Sequence, residues 1–300
     1  MTHPRIALVT ARAARSTDYD MPLLLAALRA ASADVHEVDW DDDTVDWSRF
    51  DLALLRSTWD YFDRLPAFLA WAERVSQVTC LLNPLDVIKW NTDKHYLEDL
   101  ARTGVPVVPS MFVEPGGNAA AIVDALLALH PAARDIVVKP AVGAGSRDAQ
   151  RHVRGDRDAI VAHVRRLLDK SRSVLLQPYL DRVDEHGETA LLFFDGVFSH
   201  AIRKGPLLKR NAEPTAGLYA EETIAPRTPS PDELEVAQRA LSAIPFDTPL
   251  LYARVDLIHD DDGSPRLLEL ELVEPSVFVG RAEGAAERFV RAILQRAIPT

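Results

Sequence analysis

Cysteine is almost absent from this 300-residue chain, Cys80 being its single example. An intramolecular disulfide framework is thereby excluded, and a reducing, cytoplasmic compartment is expected. Long apolar runs are missing too: none approaches the roughly 18 residues of a membrane span, and no signal-peptide layout precedes the first apolar run at Ile6–Val9. Positive charge is outnumbered, with 34 Lys and Arg against 45 Asp and Glu and a formal net charge of -11. Nucleic acid and other extended polyanions are therefore disfavoured as partners, while a local basic site for a small anion remains compatible. No glycine-rich dinucleotide fingerprint follows the first strand, which argues against a nicotinamide or flavin domain. The nine histidines are scattered, with no pair at helical ligand spacing, so zinc hydrolase chemistry gains no support. What is present is the composition of a folded soluble chain, 47% hydrophobic and 26% charged. Its length suits about two ordinary domains and a core that needs no obligatory partner; a homo-oligomer is left open.

The first 85 residues alternate apolar runs with helical patterns: strands over Ile6–Val9, Asp34–Val38, Leu52–Leu55 and Val78–Leu82, helices over Met21–Ala31 and Pro66–Val75. This alternation predicts an α/β domain with a parallel sheet, whose ligands sit beyond the carboxyl ends of the strands. Those ends carry Thr10–Arg12 and the run Arg56-Ser57-Thr58-Trp59-Asp60-Tyr61. After Asn83-Pro84 the patterns predict helices over Asn91–Thr103, Ala119–Leu129 and Asp156–Leu168, and strands over Ile136–Lys139 and Ser173–Gln177. Two hairpins follow, Leu191–Phe194 with Val197–Ile202 around Asp195-Gly196, and Leu251–Ile258 with Arg266–Val273 around Asp262-Gly263. Pro226–Pro231 reads as an exposed loop and Ala285–Ala297 as the last helix. The expected organisation is an N-terminal domain over 1–85, a central one over 86–180 and a C-terminal one over 181–300, the last two α+β with antiparallel sheets.

The second hairpin carries the chemistry. A two-residue turn at Asp262-Gly263 sets Asp256 opposite Glu269 and Arg254 opposite Glu271, all four on one face, with Val255, Leu257, Leu268, Leu270 and Leu272 on the other. A solvated sheet face is the plainer explanation, but opposed acids repel across strands unless a cation intervenes. Magnesium is the natural cation, hard and oxygen-seeking, and Arg254 adds a planar fork for phosphate or carboxylate oxygens. Lys94 opens a helical pattern, and Lys139 ends a strand just before the small residues Gly143, Ala144, Gly145 and Ser146, whose backbone can approach phosphates closely. Gln177-Pro178-Tyr179-Leu180 leaves a strand in an extended form able to meet an adenine edge, and a plain strand exit with Tyr179 in the core accounts for it equally well. A two-residue turn at Asp195-Gly196 sets Glu188 opposite Arg203, with Lys204, Lys209 and Arg210 following.

In this order the motifs resemble the ATP-grasp superfamily, over about residues 5 to 295. The resemblance implies two antiparallel subdomains clamping ATP, with Lys94 and Lys139 at its phosphates. It makes Gly143, Ala144, Gly145 and Ser146 the lid loop, sets Gln177, Tyr179 and Leu180 at the nucleotide, and brings Asp184 or Glu185 near the ribose. Asp256, Glu269 and Glu271 match magnesium ligands, Arg254 matches the phosphate-side arginine, and Arg203 would add positive charge there. Glu271 departs from the asparagine that relatives often carry, and Glu274-Pro275-Ser276 from a Ser-Pro pair. Arg56–Tyr61, Asn83-Pro84, Trp90–Lys94 and Glu269–Ser276 are also similar to the bacterial group that includes the cyclo-ligase of D-cycloserine biosynthesis. That resemblance implies an ADP-forming carbon–nitrogen ligase, requiring ATP and Mg2+, that activates the carboxylate of O-ureido-D-serine and closes it to a ring. A small amino-acid-like substrate would then meet Arg56, Ser57, Thr58, Tyr61, Glu274 and Ser276. The alternatives are a ligase making a dipeptide-like amide, a nucleotide-binding module without chemistry, and a metal-dependent hydrolase.

Overall fold

The computed structural model describes residues 3–210 and 223–297. Strands β1 (Arg5–Thr10), β2 (Asp34–Asp39), β3 (Leu52–Ser57) and β4 (Cys80–Leu82) form a parallel sheet in the order β2-β1-β3-β4. The two central strands are almost wholly buried, as expected for a sheet covered on both faces by α1 (Met21–Ala30) and α2 (Leu65–Ser76). The expected helix over Asn91–Thr103 begins only at α4 (Tyr96–Arg102), and a separate helix, α3 (Leu85–Asn91), precedes the break. The break has a tertiary cause: the Lys94 amide donates to the Ala141 carbonyl at 3.0 Å instead of continuing a helix.

A second, antiparallel sheet is ordered β5-β8-β6-β7, from β5 (Met111–Val113), β6 (Asp135–Pro140), β7 (Gln150–Val153) and β8 (Val174–Pro178). It is backed by α5 (Ala119–Leu129) and α6 (Arg157–Leu168), whose apolar faces share one core with it. After a single turn, α7 (Val183–His186), come β9 (Glu188–Phe194), β10 (Val197–Lys204) and β11 (Ile224–Arg227). Helix α8 (Pro231–Ser242) and strands β12 (Tyr252–His259) and β13 (Pro265–Glu271) complete a sheet ordered β11-β10-β9-β12-β13. Pro226–Pro231 is thus not simply loop: Pro226 lies in an edge strand, and Ser230 begins α8 with a reciprocal Ser230–Glu233 capping box. The last helix, α9 (Ala285–Ala297), packs back on the first domain, and one core joins Leu24, Leu28, Leu192, Phe194, Phe289 and Ile293. Among the described residues no helix is long and apolar enough to cross a membrane.

Both hairpins contain a register shift. In β12–β13, Arg254 pairs with Glu271 and Asp256 with Glu269 as expected, but Leu257 pairs with Leu267. The turn is one residue longer than expected, Asp260 bonding Ser264 around Asp261–Gly263 with Gly263 at φ 87°, and a bulge at Leu268 restores the register. Leu267 therefore takes the core side, and Leu268, expected there, turns to the opposite face. In β9–β10 the shift falls between Phe198 and His200, so Glu188 opposes Lys204 and not Arg203.

Two buried asparagines bind the last sheet to the earlier chain. The Asn83 amide donates to the Tyr252 and Leu272 carbonyls at 2.9 and 2.7 Å and accepts from the Leu251 amide at 2.8 Å. Asn91 donates to the Leu270 carbonyl and accepts from the Leu272 amide, both at 2.8 Å. Each does for a strand edge what a neighbouring strand would have done.

Candidate active site

A cavity of about 1030 Å³ lies where the three sheets meet. Lys94, delivered by the break between α3 and α4, is buried and reaches the Gly143 carbonyl and Glu269 Oε1, each at 3.0 Å. Burial pulls its pKa down, but Glu269, Glu271 and Glu274 outweigh burial and the ammonium is held above its usual range. Lys139, at the end of β6, is the converse: burial depresses its pKa, with Lys94 and Lys204 pushing the same way against Glu269 and Glu188. It makes no hydrogen bond or ion pair among the described residues. Gly143, Ala144, Gly145 and Ser146 line the cavity beside it, with Gly145 and Ser146 at φ 61° and 58°. Arg172 closes the neck of this loop, donating to the Val142 carbonyl at 2.9 Å and to Asp148 at 2.6 Å. At the tip Arg147 crosses to the first domain, 3.1 Å from Asp63 and 5.1 Å from the centre of the Phe62 ring.

Gln177, Tyr179 and Leu180 also line the cavity. Gln177 donates to Ser110 Oγ at 2.9 Å, and Tyr179, Leu180, Val108, Val137 and Ile258 form one apolar cluster. Behind Tyr179 the Arg151 guanidinium stacks on the ring at 3.5 Å. Asp184 does not line the cavity; it binds Arg151 at 3.0 Å and accepts from the Tyr179 hydroxyl. Glu185 is exposed and likewise outside the lining.

On the hairpin face Arg254, Glu269 and Glu271 reach the cavity, but Asp256 does not. Asp256 is 1% exposed and held by the Arg254 fork, with two contacts of 2.9 Å, and by Lys204 Nζ at 2.7 Å. Burial raises its pKa, yet the two cations prevail and keep it below the usual range. Lys204 also lies 2.8 Å from Glu188. It occupies the position expected of Arg203, whose guanidinium points the other way and donates to the His186 and Glu185 carbonyls at 2.7 and 2.8 Å. Glu269 is kept low by Lys94 and Lys139 despite burial. Glu271, paired to Arg254, is pushed up to about 7 by burial, with Asp256 and Glu269 adding to it.

Of the loop expected to meet substrate, Tyr61 lines the cavity, together with Trp59, which sequence reasoning did not single out. Arg56, Ser57 and Thr58 are 0% exposed and lie outside the lining. Glu274 and Ser276 do line it. The Tyr61 phenol and the Glu274 carboxyl interact in the cavity wall, burial and Glu271 push the carboxyl up to about 8, and Trp59 Nε1 donates to the Glu274 carbonyl at 2.9 Å. Among the described residues no three Asp, Glu, His or Cys side chains gather at metal-ligand geometry. Glu269 and Glu271 nevertheless offer hard oxygens on one face of one strand, a donor set that fits magnesium when substrate phosphates complete the shell. Asp256, engaged by two cations, does not join them.

Known proteins share this fold. Residues 6–83 match the model of the N-terminal domain of D-cycloserine synthetase DcsG. The whole chain is similar to the cycloserine biosynthesis protein DcsG of Streptomyces lavendulae, 45% identical over 298 residues, 98% of this chain and 99% of that one. A crystal structure of D-cycloserine synthetase DcsG superposes with a TM-score of 0.90 at 45% identity, covering 98% and 99% of the two chains. The ATP-grasp ligase PsnB, solved with a phosphomimetic variant of its minimal precursor, Mg and ADP, shares the fold at a TM-score of 0.64 and 19% identity, over 99% and 100% of the chains. Near-complete coverage at this identity, together with the shared architecture, makes the chain a member of the D-cycloserine synthetase family of ATP-grasp ligases.

Proposed function

We propose that the protein uses ATP and magnesium to activate the carboxylate of O-ureido-D-serine as an acyl phosphate and then closes the molecule to D-cycloserine. The observation that supports this reading best is one cavity lined by three kinds of group. An apolar wall of Val108, Val137, Tyr179, Leu180 and Ile258, with Gln177 beside it, suits a purine. Lys94, Lys139, Arg254 and the glycine loop suit a triphosphate, and Tyr61, Glu274 and Ser276 suit a small zwitterion.

A substrate carboxylate oxygen attacks the γ-phosphorus, the bond to the β-phosphate oxygen breaks, and ADP leaves with the electron pair. The substrate nitrogen that is bonded to the side-chain oxygen then attacks the acyl carbon and expels phosphate. Its carbamoyl group departs, with water, as carbon dioxide and ammonia. Lys139, Lys94 and Arg254 bind the phosphate oxygens and offset the charge that develops on them. Lys204 takes the part first given to Arg203, through Asp256, by fixing the fork of Arg254. Magnesium, when held by Glu269 and Glu271, would neutralise further phosphate charge. The glycine loop excludes water from the acyl phosphate, and Glu274, oriented by Tyr61, receives the substrate ammonium.

The test is ADP release measured against a panel of amino acids that includes O-ureido-D-serine, with a product mass for each hit. ADP release with the mass of the ring, and no added amine, is expected. Release only when a separate amine is present, with the mass of a linear amide, would overturn the proposal.

A further inference from the structure

Asp20 stands at the N-cap of α1, where an aspartate ordinarily accepts from the first amides of its own helix. Its side chain makes no such bond. Asp18 does that work, accepting from the Asp20 and Met21 amides at 3.0 and 3.2 Å. The Asp20 carboxylate instead crosses to the far end of the chain and accepts from three successive amides, Val277 at 2.7 Å, Phe278 at 2.9 Å and Val279 at 2.8 Å. Phe278 is held there at φ 50°. Behind the carboxylate lies Arg56, 0% exposed and 3.8 Å away, whose three guanidinium nitrogens have no hydrogen-bond partner among the described residues. Its buried charge therefore faces Asp20 as a counter-ion.

The segment Asp20 holds is the one Arg254 leans on. Arg254 Nη1 donates to the Ser276 carbonyl at 3.2 Å, and its guanidinium carbon is 5.6 Å from the centre of the Phe278 ring. Asp20, Ser276, Phe278 and Arg254 all line the cavity. We propose that Asp20 is a positioning residue for the ligase reaction: through the Ser276–Val279 segment it sets the plane of the Arg254 fork, so that the first domain aligns the phosphate-binding arginine of the third. This inference rests on the reading of Arg254 at the phosphates. A planar fork transmits small errors of aim into large losses of rate, because misplacement near an ångström costs about 100-fold.

The experiment is a double-mutant cycle on the full chain with Asp20→Asn and Arg254→Lys, following kcat for ring formation and the Kd of magnesium-ATP. An asparagine keeps the shape but turns an N–H group toward one of the three amides. Asp20→Asn should lower kcat by about 10- to 100-fold with little change in Kd. The double variant should lose no more than Arg254→Lys alone, because residues acting through one group are not additive. Additive losses, an unchanged kcat in Asp20→Asn, or a Kd that weakens in step with kcat would overturn the inference. Near-native kcat in Arg254→Lys would instead remove the phosphate reading of Arg254 on which the inference stands. Should Asp20→Asn fail to fold, Phe278→Leu leaves the three amides on Asp20, removes the ring beside Arg254, and enters the same cycle with the same expected non-additivity.

Discussion

Lys139 and Lys204 line the same cavity, yet their loss should have opposite signatures. Lys204 is 5% exposed and compensates both Glu188 and Asp256. Replacing it with methionine keeps the volume but leaves buried carboxylates short of a cation, a change that costs about 3–5 kcal/mol in comparable sites. Arg254 still holds Asp256, which places the expected loss near the lower end, about 3 kcal/mol. Lys139 makes no ion pair among the described residues, and burial depresses its pKa even though Glu269 and Glu188 act the other way from a distance. Methionine there removes a desolvated charge that forms no ion pair among the described residues, and Glu269 keeps Lys94, so stability should stay within about 1 kcal/mol of wild type or improve.

Function should move the other way for Lys139. A charge-assisted contact to a phosphate oxygen is worth about 1.5–3 kcal/mol, so Lys139→Met should weaken magnesium-ATP binding by about 10- to 150-fold. Urea unfolding of the ligand-free variants gives the stabilities, and titration with a non-hydrolysable ATP analogue gives the affinity. A Lys139→Met protein that unfolds as early as Lys204→Met, or that binds the analogue as wild type does, would refute the view of Lys139 as a phosphate-binding cation.

Glu269→Gln preserves the shape beside Lys94 but removes a metal-ligating charge, so turnover should fall about 100-fold or more and recover partly at high magnesium; wild-type rates at ordinary magnesium would remove the metal assignment. Arg147→Ala frees the glycine-loop tip from Asp63 and Phe62, and ADP formed per ring closed should rise above about one as water reaches the acyl phosphate. An unchanged ratio would make that contact incidental. Glu274 sets a pH dependence of stability. A carboxyl raised from 4.5 to about 8 on folding contributes stability that is complete below its unfolded pKa and is lost as pH rises through about 8. Ligand-free wild type should therefore lose stability between about pH 5 and 8, and Glu274→Gln should lose less over that range; parallel curves from the two proteins would contradict the assignment.

The first sheet was legible in the sequence because its two central strands, β1 and β3, are short, apolar and buried on both faces, and α5 and α9 match the expected bounds because their helical periodicity is local. Elements defined by their partners were not legible. Strand β7 reads Gln150-Arg151-His152-Val153 and is a strand only because β6 pairs with it. The break that delivers Lys94 depends on a carbonyl 47 residues away, at Ala141. By contrast, α8 carried a signal that the surrounding prolines obscured, Ser230 three residues before Glu233.

Within the site, legibility came down to register parity. A one-residue slip turns every following side chain to the opposite face. In β12–β13 the longer turn introduces one slip and the bulge at Leu268 a second, so Arg254, Asp256, Glu269 and Glu271 return to the expected pairing and only Leu267 and Leu268 exchange sides. In β9–β10 the turn is as expected, Val197 opposite Phe194, and the bulge near Ser199 stands alone. Nothing cancels it, so Lys204 enters the cavity and Arg203 leaves it. The pattern of residue types on these strands is equally clear in both hairpins; what differs is whether the number of inserted residues between turn and site is even or odd. A bulge is a backbone event with no side-chain signature here, since Ser199 and Leu268 are ordinary strand residues. The pairing of the acids on β12 and β13 could therefore be read from sequence, whereas the lysine that balances them required the folded register.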